Sequence, residues 1–321
     1  MAALSAMVGG CGTAAAPSRE HSAPPSEQSA APTSEGAVAT AGTTPTFDSA
    51  RAWEHLRKQV AFGPRPAGSA ALDECRKYIL AQLKASGIDA KQQVFMANTP
   101  LGEMMMANII GTIPGRRSER IVLTSHYDTK RAPNFRFVGA SDGASSTAAV
   151  LELGRALKAR QNEFTIELLF VDGEEAVNWD WRGLDNTYGS RYYVSAAQKA
   201  NTIGGIKAMI LLDMIGDKNL LVRRDANSTP WLVDILWDTA GRLGHRAVFS
   251  NELGAVEDDH IPFLRAGVPS VDIIDLDNYG QYWHTAQDDL NHVSARSLQI
   301  VGDVVLAAIP DIEKRLTAPS R

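Results

Sequence analysis

Apolar residues follow two rhythms along this chain. Short continuous runs at 121–124, 164–171, 206–212 and 268–274 have the length expected of strands buried on both faces. Between them, apolar positions recur at helical spacing. Residues 48–60 put Trp53, Leu56 and Val60 on one face behind Asp48 and Ser49 as cap candidates, and residues 69–86 open at Ser69 and close at Gly87. In 144–160, Ala149, Val150, Leu153, Ala156 and Leu157 align; 229–243 carries Pro230 in a first turn. A last helix over 294–316 aligns Leu298, Val301, Val305, Ala308 and Ile312, with Pro310 as a candidate kink. Residues 92–97 and 104–113 read as a hairpin. This alternation predicts an α/β fold: a three-layer sandwich with a mostly parallel central sheet and helices on both faces.

The first 46 residues break the pattern. Residues 12–46 are dominated by Ala, Ser, Thr, Pro, Gly and Glu. Such a segment buries too little to offset its chain entropy and reads as a disordered tether. Ahead of it, the apolar stretch from Ala2 to Gly10 ends in small residues and then Cys11, and resembles the tail of a bacterial lipoprotein signal. That predicts a leader and tether over 1–46, one catalytic domain over 47–321, a lipid anchor at Cys11, and a place in the cell envelope, periplasmic or on the surface. The plainer alternative is an Ala/Gly-rich leader with a free Cys.

Composition narrows the partners. Thirty-two Lys and Arg against 37 Asp and Glu give a net charge of −5. That balance offers no general attraction to nucleic acid or anionic lipid. No stretch has the roughly 18 consecutive apolar residues of a spanning helix. The two cysteines, Cys11 and Cys75, suggest neither a disulfide framework nor a zinc finger; Cys75, beside Tyr78 and Ile79, reads as buried and inert.

Ligand sites in open α/β sheets collect beyond the carboxyl ends of the strands, and there the sequence changes character. The 121–124 run is followed by Ser125-His126-Tyr127-Asp128 and the 164–171 run by Asp172-Gly173-Glu174-Glu175; 206–212 leads into Asp213, and 268–274 leads towards Trp283-His284. Asp142 precedes the 144–160 helix. Imidazole and carboxylate without thiolate are the donors of a hydrolytic or acyl-transfer zinc site. Singly, each residue has an ordinary reading: Asp142 as an N-cap, Glu174-Glu175 as a solvated turn, Asp213 as a loop cap, His284 as a semi-buried histidine. At successive strand ends they point to a metal. Adjacent Glu174 and Glu175 face different ways, so Glu175 is expected to ligate and Glu174 to carry protons.

These segments, with Ser141-Asp142-Gly143-Ala144-Ser145, Leu212-Asp213-Met214-Ile215-Gly216 and Trp283-His284-Thr285, resemble the zinc aminopeptidase superfamily, which includes the animal-type glutaminyl cyclases. The resemblance spans roughly residues 48–316 with the motifs in family order. In the aminopeptidases it implies two zinc ions on His126, Asp142, Glu175, Asp213 and His284. In the cyclases it implies one zinc, on Asp142, Glu175 and His284. Glu257-Asp258-Asp259-His260-Ile261-Pro262-Phe263-Leu264, Trp179 followed by Tyr188-Gly189-Ser190-Arg191, and Trp283 before His284 resemble the cyclase branch. Asp272 stands where the animal enzymes carry His, the loop 275–282 differs, and Asp142-Gly143 resembles the aminopeptidase form.

The resemblance implies a glutaminyl-peptide cyclotransferase acting on peptides or proteins with N-terminal Gln. Glu174 would be the general acid/base, Asp213 and Asp258 its electrostatic support, and Trp179 and Trp283 the walls that hold the substrate. Trp179, Trp181 and Trp283 sit in polar surroundings, where the alternative fate of an indole is core packing. Asp258 is also expected to cap a helix running through Leu264. Two further functions remain open: a dinuclear aminopeptidase releasing N-terminal residues, and a non-catalytic binding lipoprotein.

Overall fold

The computed structural model describes residues 46–318. Two helices come first. α1 (Ser49–Ala61) is capped by Asp48, whose carboxylate accepts from Ala50 N and Arg51 N. α2 (Ala70–Ala85) is capped by Ser69 and followed by Gly87 at φ 67°. The hairpin β1 (Asp89–Thr99) and β2 (Gly102–Ile113) follows, then β3 (Arg117–His126), α3 (Ala144–Lys158), β4 (Phe164–Val171), α4 (Tyr188–Lys199) and β5 (Ile206–Asp213). Next come β6 (Val222–Asp225), α5 (Pro230–Arg242), β7 (Phe249–Gly254), α6 (His260–Arg265), β8 (Ser270–Ile274), the short α7 (Leu276–Tyr279) and α8 (Ala295–Thr317).

One six-stranded sheet organises these elements, in the order β1-β2-β4-β3-β5-β8. The hairpin and the β2–β4 pair are antiparallel; β4, β3, β5 and β8 are mutually parallel. Alternate residues of the parallel strands feed two cores. Ile121, Leu123, Leu168 and Ile210 pack with residues of α1, α2, α3, α5 and α8 on one face. Val122, Leu169, Met209 and Leu211 pack on the other with Tyr193 and Val194 of α4 and Phe263 of α6. Burial on both faces is why these strands read as continuous apolar runs. The three-layer α/β sandwich expected from the pattern is the observed fold.

Several boundaries differ from the expectation, for local reasons. β1 extends to Asp89 because ladder pairing, not apolar periodicity, holds its polar start, with Asp89 opposite Thr112. Val268 lies in the turn after α6, its N–H donating to Phe263 O, so β8 begins only at Ser270. α8 continues through Pro310. The α6 N-cap is Asp259, with no side-chain cap bond, and Asp258 instead accepts from the Asp259 amide. Likewise Gly143, not Asp142, is the N-cap of α3, which leaves the Asp142 carboxylate free of that role. Cys75 is fully buried and unbridged. No helix among the described residues is long and apolar enough to cross a membrane. Residues 1–45, including Cys11 and nearly all of the expected leader and tether, lie outside the described residues.

Candidate active site

Because β3, β4, β5 and β8 run parallel, their carboxyl ends share one edge of the sheet, and the polar residues that follow them meet there. His126 ends β3 and Asp213 ends β5. Glu174 and Glu175 follow β4 by a tight turn at Gly173, φ 66°. Both of their amides donate to the Asp128 carboxylate, at 3.2 and 3.4 Å, which pins the turn while the two side chains diverge.

Asp142 arrives on the loop ahead of α3, and that loop is held from two sides. The fully buried Arg65 guanidinium donates to Tyr127 O, Val138 O and Gly139 O. The Asp288 carboxylate accepts from Ser141 N at 2.7 Å, from Asp142 N at 3.1 Å and from the Tyr279 hydroxyl as well. Gly143 is required here. Its φ is 86°, and a Cβ would stand 2.7 Å from Asp128 O and 3.0 Å from the His126 ring.

Two donor sets result, and they share one residue. His126 Nε2 lies 3.1 Å from Asp142 Oδ1 and 3.1 Å from Asp213 Oδ1. His284 Nε2 lies 3.1 Å from Glu175 Oε1 and 3.5 Å from Asp142 Oδ2. Within each set the donor atoms lie within 4.8 Å of one another. Donors on a tetrahedral zinc stand about 3.4 Å apart, so the observed spacings fit such an ion. Asp142 Oδ2 and Glu175 Oε2 are also buried without a hydrogen bond. His284 sits at φ 52° with its ring packed edge-on by Phe137 and Trp179, each at 5.8 Å, and stacked by Trp283 at 4.1 Å. Aromatic packing thus orients His284, the half-buried member of its donor set.

The electrostatics suit a cation-binding site: imidazoles and buried carboxyls crowd together. Burial pushes the Asp213 carboxyl up to about 7 despite His126, with Asp258 and Asp142 adding to the rise. Burial likewise raises Glu175, reinforced by Asp142 and opposed by His284 and Lys130. Glu174 is raised well above the usual range: burial leads, His126 opposes, and Asp258 and Glu175 add to it. Burial would raise Asp142 too, but His126, His284 and Arg65 overturn that and hold it low. Burial would lower both histidines; Glu174 and Asp213 instead raise His126, and Glu175 raises His284.

The sign of the pH dependence follows. With Asp213 at about 7 against an ordinary 3.8, the folded metal-free chain keeps a proton that the unfolded chain has released. Its stability therefore falls as pH rises through that window. A divalent cation reverses the balance by holding the carboxylates ionised. The increase in melting temperature on adding zinc to chelator-treated protein is expected to grow between about pH 5 and pH 7.5. A zinc-induced increase that shrinks over that range in scanning fluorimetry would contradict this account of the site.

Asp142, Glu175, Asp213 and His284 line one side of a cleft of about 230 Å³. Glu174 and Asp258 complete its polar side; Met214, Val256, Ile274, Leu276 and Trp283 form an apolar wall. Of the residues expected at the site, Asp142, Glu174, Glu175, Asp213, Asp258, Trp283 and His284 line this cleft; His126 lies behind it against Asp142 and Asp213, Trp179 packs against His284, and Trp181 lines the cleft instead. Asp128 and Asp288 were not anticipated in a supporting role. Asp128 stands in a quoted segment, but nothing in its spacing shows that it binds the Glu174 turn. Asp288 is an ordinary acid four residues beyond His284.

Comparison with known proteins agrees with this geometry. The family description "Peptidase family M28" matches residues 108–309. A glutaminyl-peptide cyclotransferase-like protein of Bos taurus is 30% identical over 270 residues, covering 75% of this chain and 70% of that protein. Among solved structures, Acidobacteriales bacterium glutaminyl cyclase is 39% identical with a TM-score of 0.80, covering 88% of this chain and 100% of the other. A leucine aminopeptidase precursor from Bacteroides thetaiotaomicron is 28% identical with a TM-score of 0.76, covering 83% and 98%.

Proposed function

We propose, from the premise that this chain belongs to peptidase family M28, that it is a zinc-dependent glutaminyl-peptide cyclotransferase converting N-terminal Gln to pyroglutamate. The observation that carries the proposal is the meeting of Asp142, Glu175 and His284 beside a separate buried carboxyl, Glu174, in a small cleft walled by Trp283. The named relatives support the same reading.

Zinc on Asp142, Glu175 and His284 would act as a Lewis acid towards the γ-carbonyl of the substrate. The chain's own residues supply the rest. Glu174 is held above the usual carboxylate range by burial and by Asp258 and Glu175, which suits a group that accepts and returns a proton. It takes one from the α-amine as the bond between that nitrogen and the γ-carboxamide carbon forms. It returns one to the amide nitrogen as the carbon–nitrogen bond breaks, and ammonia leaves. Asp258 adds to the rise of Glu174, which favours its protonated form between the two transfers, and Asp213 stands beside both in the cleft. Trp283 and the apolar wall hold the methylene groups and exclude water, so the amine is the nucleophile within reach.

The completeness of the His126–Asp142–Asp213 set favours a second reading, a dinuclear aminopeptidase. Mass spectrometry of a Gln-initiated peptide incubated with zinc-loaded protein separates the readings. Loss of ammonia alone is the expected result, and loss of the whole Gln residue would replace the proposal with peptidase activity. An unchanged peptide would favour a binding lipoprotein. Anchoring through Cys11 at the cell envelope belongs to the same proposal and rests on the sequence of the leader.

A further inference from the structure

A second, polar groove of about 130 Å³ adjoins the cleft and shares Trp181, Glu257 and Asp258 with it. The 183–187 loop and Arg191 line it from one side, and Ile261, Pro262 and Arg265 from the other. The loop is fastened to α4, since Arg191 donates to Leu184 O at 2.6 Å and to Asn186 O at 2.7 Å, with its guanidinium over the Tyr188 ring. Arg265, the last residue of α6, is exposed. Neither guanidinium is within ion-pair distance of a carboxylate among the described residues.

Charge is therefore graded along the continuous path. The carboxylates Glu174, Glu175, Asp213 and Asp258 crowd the cleft, whereas the groove adds Arg191 and Arg265 to the Glu257 and Asp258 that it shares with the cleft. A peptide with its N-terminal ammonium in the cleft would advance about 3.3 Å per residue when extended, which carries the following residues out past Trp181. An acidic side chain on one of them would meet the arginines. A basic one would meet their repulsion. Arginine presents a planar fork suited to carboxylate.

We propose that this groove receives the residues directly after the N-terminal glutamine and that Arg265, with Arg191, selects peptides carrying Asp or Glu there. This rests on the cyclotransferase reading of the adjoining cleft. Arg191 also holds the 184–186 loop, so Arg265 is the cleaner position to alter.

The test compares ammonia release from Gln-Glu-, Gln-Ala- and Gln-Lys-initiated peptides of otherwise identical sequence, together with variants carrying the charge one residue later. Wild-type kcat/KM is expected to be about 10-fold higher with Glu than with Lys in the favoured position, mostly through KM. The ratio should shrink at high salt. In Arg265→Glu it is expected to fall to about 1 or invert, and Arg265→Lys should restore part of it. Equal kcat/KM for acidic and basic peptides, or a preference that Arg265→Glu leaves intact, would overturn the groove assignment while cyclisation stands. Absence of ammonia release from every peptide would instead sink the cyclotransferase reading, and this inference with it.

Discussion

Glu174→Gln is expected to lower kcat for ammonia release by about 10³-fold with bound zinc unchanged, within the range for loss of a general acid/base. Gln keeps the size and shape of the side chain but cannot take up a proton. Glu174 stands outside both donor sets, 3.7 Å from His126 Nδ1, so its substitution removes no proposed ligand. It also removes a carboxyl whose ionised form is costly to bury beside Asp258 and Glu175. The variant should therefore melt no lower than wild type, which separates lost chemistry from lost folding. Turnover above about a tenth of wild type, with metal content confirmed by elemental analysis, would exclude Glu174 as the proton carrier.

The second large effect is expected at Asp142, whose two oxygens serve both donor sets. Asp142→Ala leaves two proposed donors in each, too few for a closed zinc site. Bound zinc should drop below about a tenth of an equivalent, and turnover should fall by at least about 10³-fold. The melting temperature of the variant should no longer respond to zinc. In the metal-free state it should be less stable than metal-free wild type at neutral pH, because His126, His284 and Arg65 hold the Asp142 carboxyl low and lose that partner. A full equivalent of zinc retained by Asp142→Ala would move the metal elsewhere in the protein.

Legibility differed by residue for physical reasons. β4 matched its apolar run because every residue of it is buried. α1, α2 and α5 were marked at their starts by Asp48, Ser69 and Pro230, which act within a single turn. α4 was not anticipated: it follows Thr187 in a left-handed conformation without a side-chain cap, and few of its residues reach the sheet. The β6–β7 pair is short and partly polar, with too little alternation to announce it. Trp179 and Trp181 differ by two positions, and no local signal says which of them turns into the cleft.

The amino-acid sequence by itself determined the two-faced strands, the capped helices, the donor types at the strand ends and the family resemblance, since each depends on neighbours within a few residues or on order along the chain. Tertiary structure alone decided that Asp142 stands between two imidazoles, that Asp128 and Asp288 hold its surroundings, and that a groove with Arg191 and Arg265 adjoins the cleft. The reason is topological. Residues 126, 142, 175, 213 and 284 meet because β4, β3, β5 and β8 lie side by side and run the same way, and distance in space then no longer follows distance along the chain.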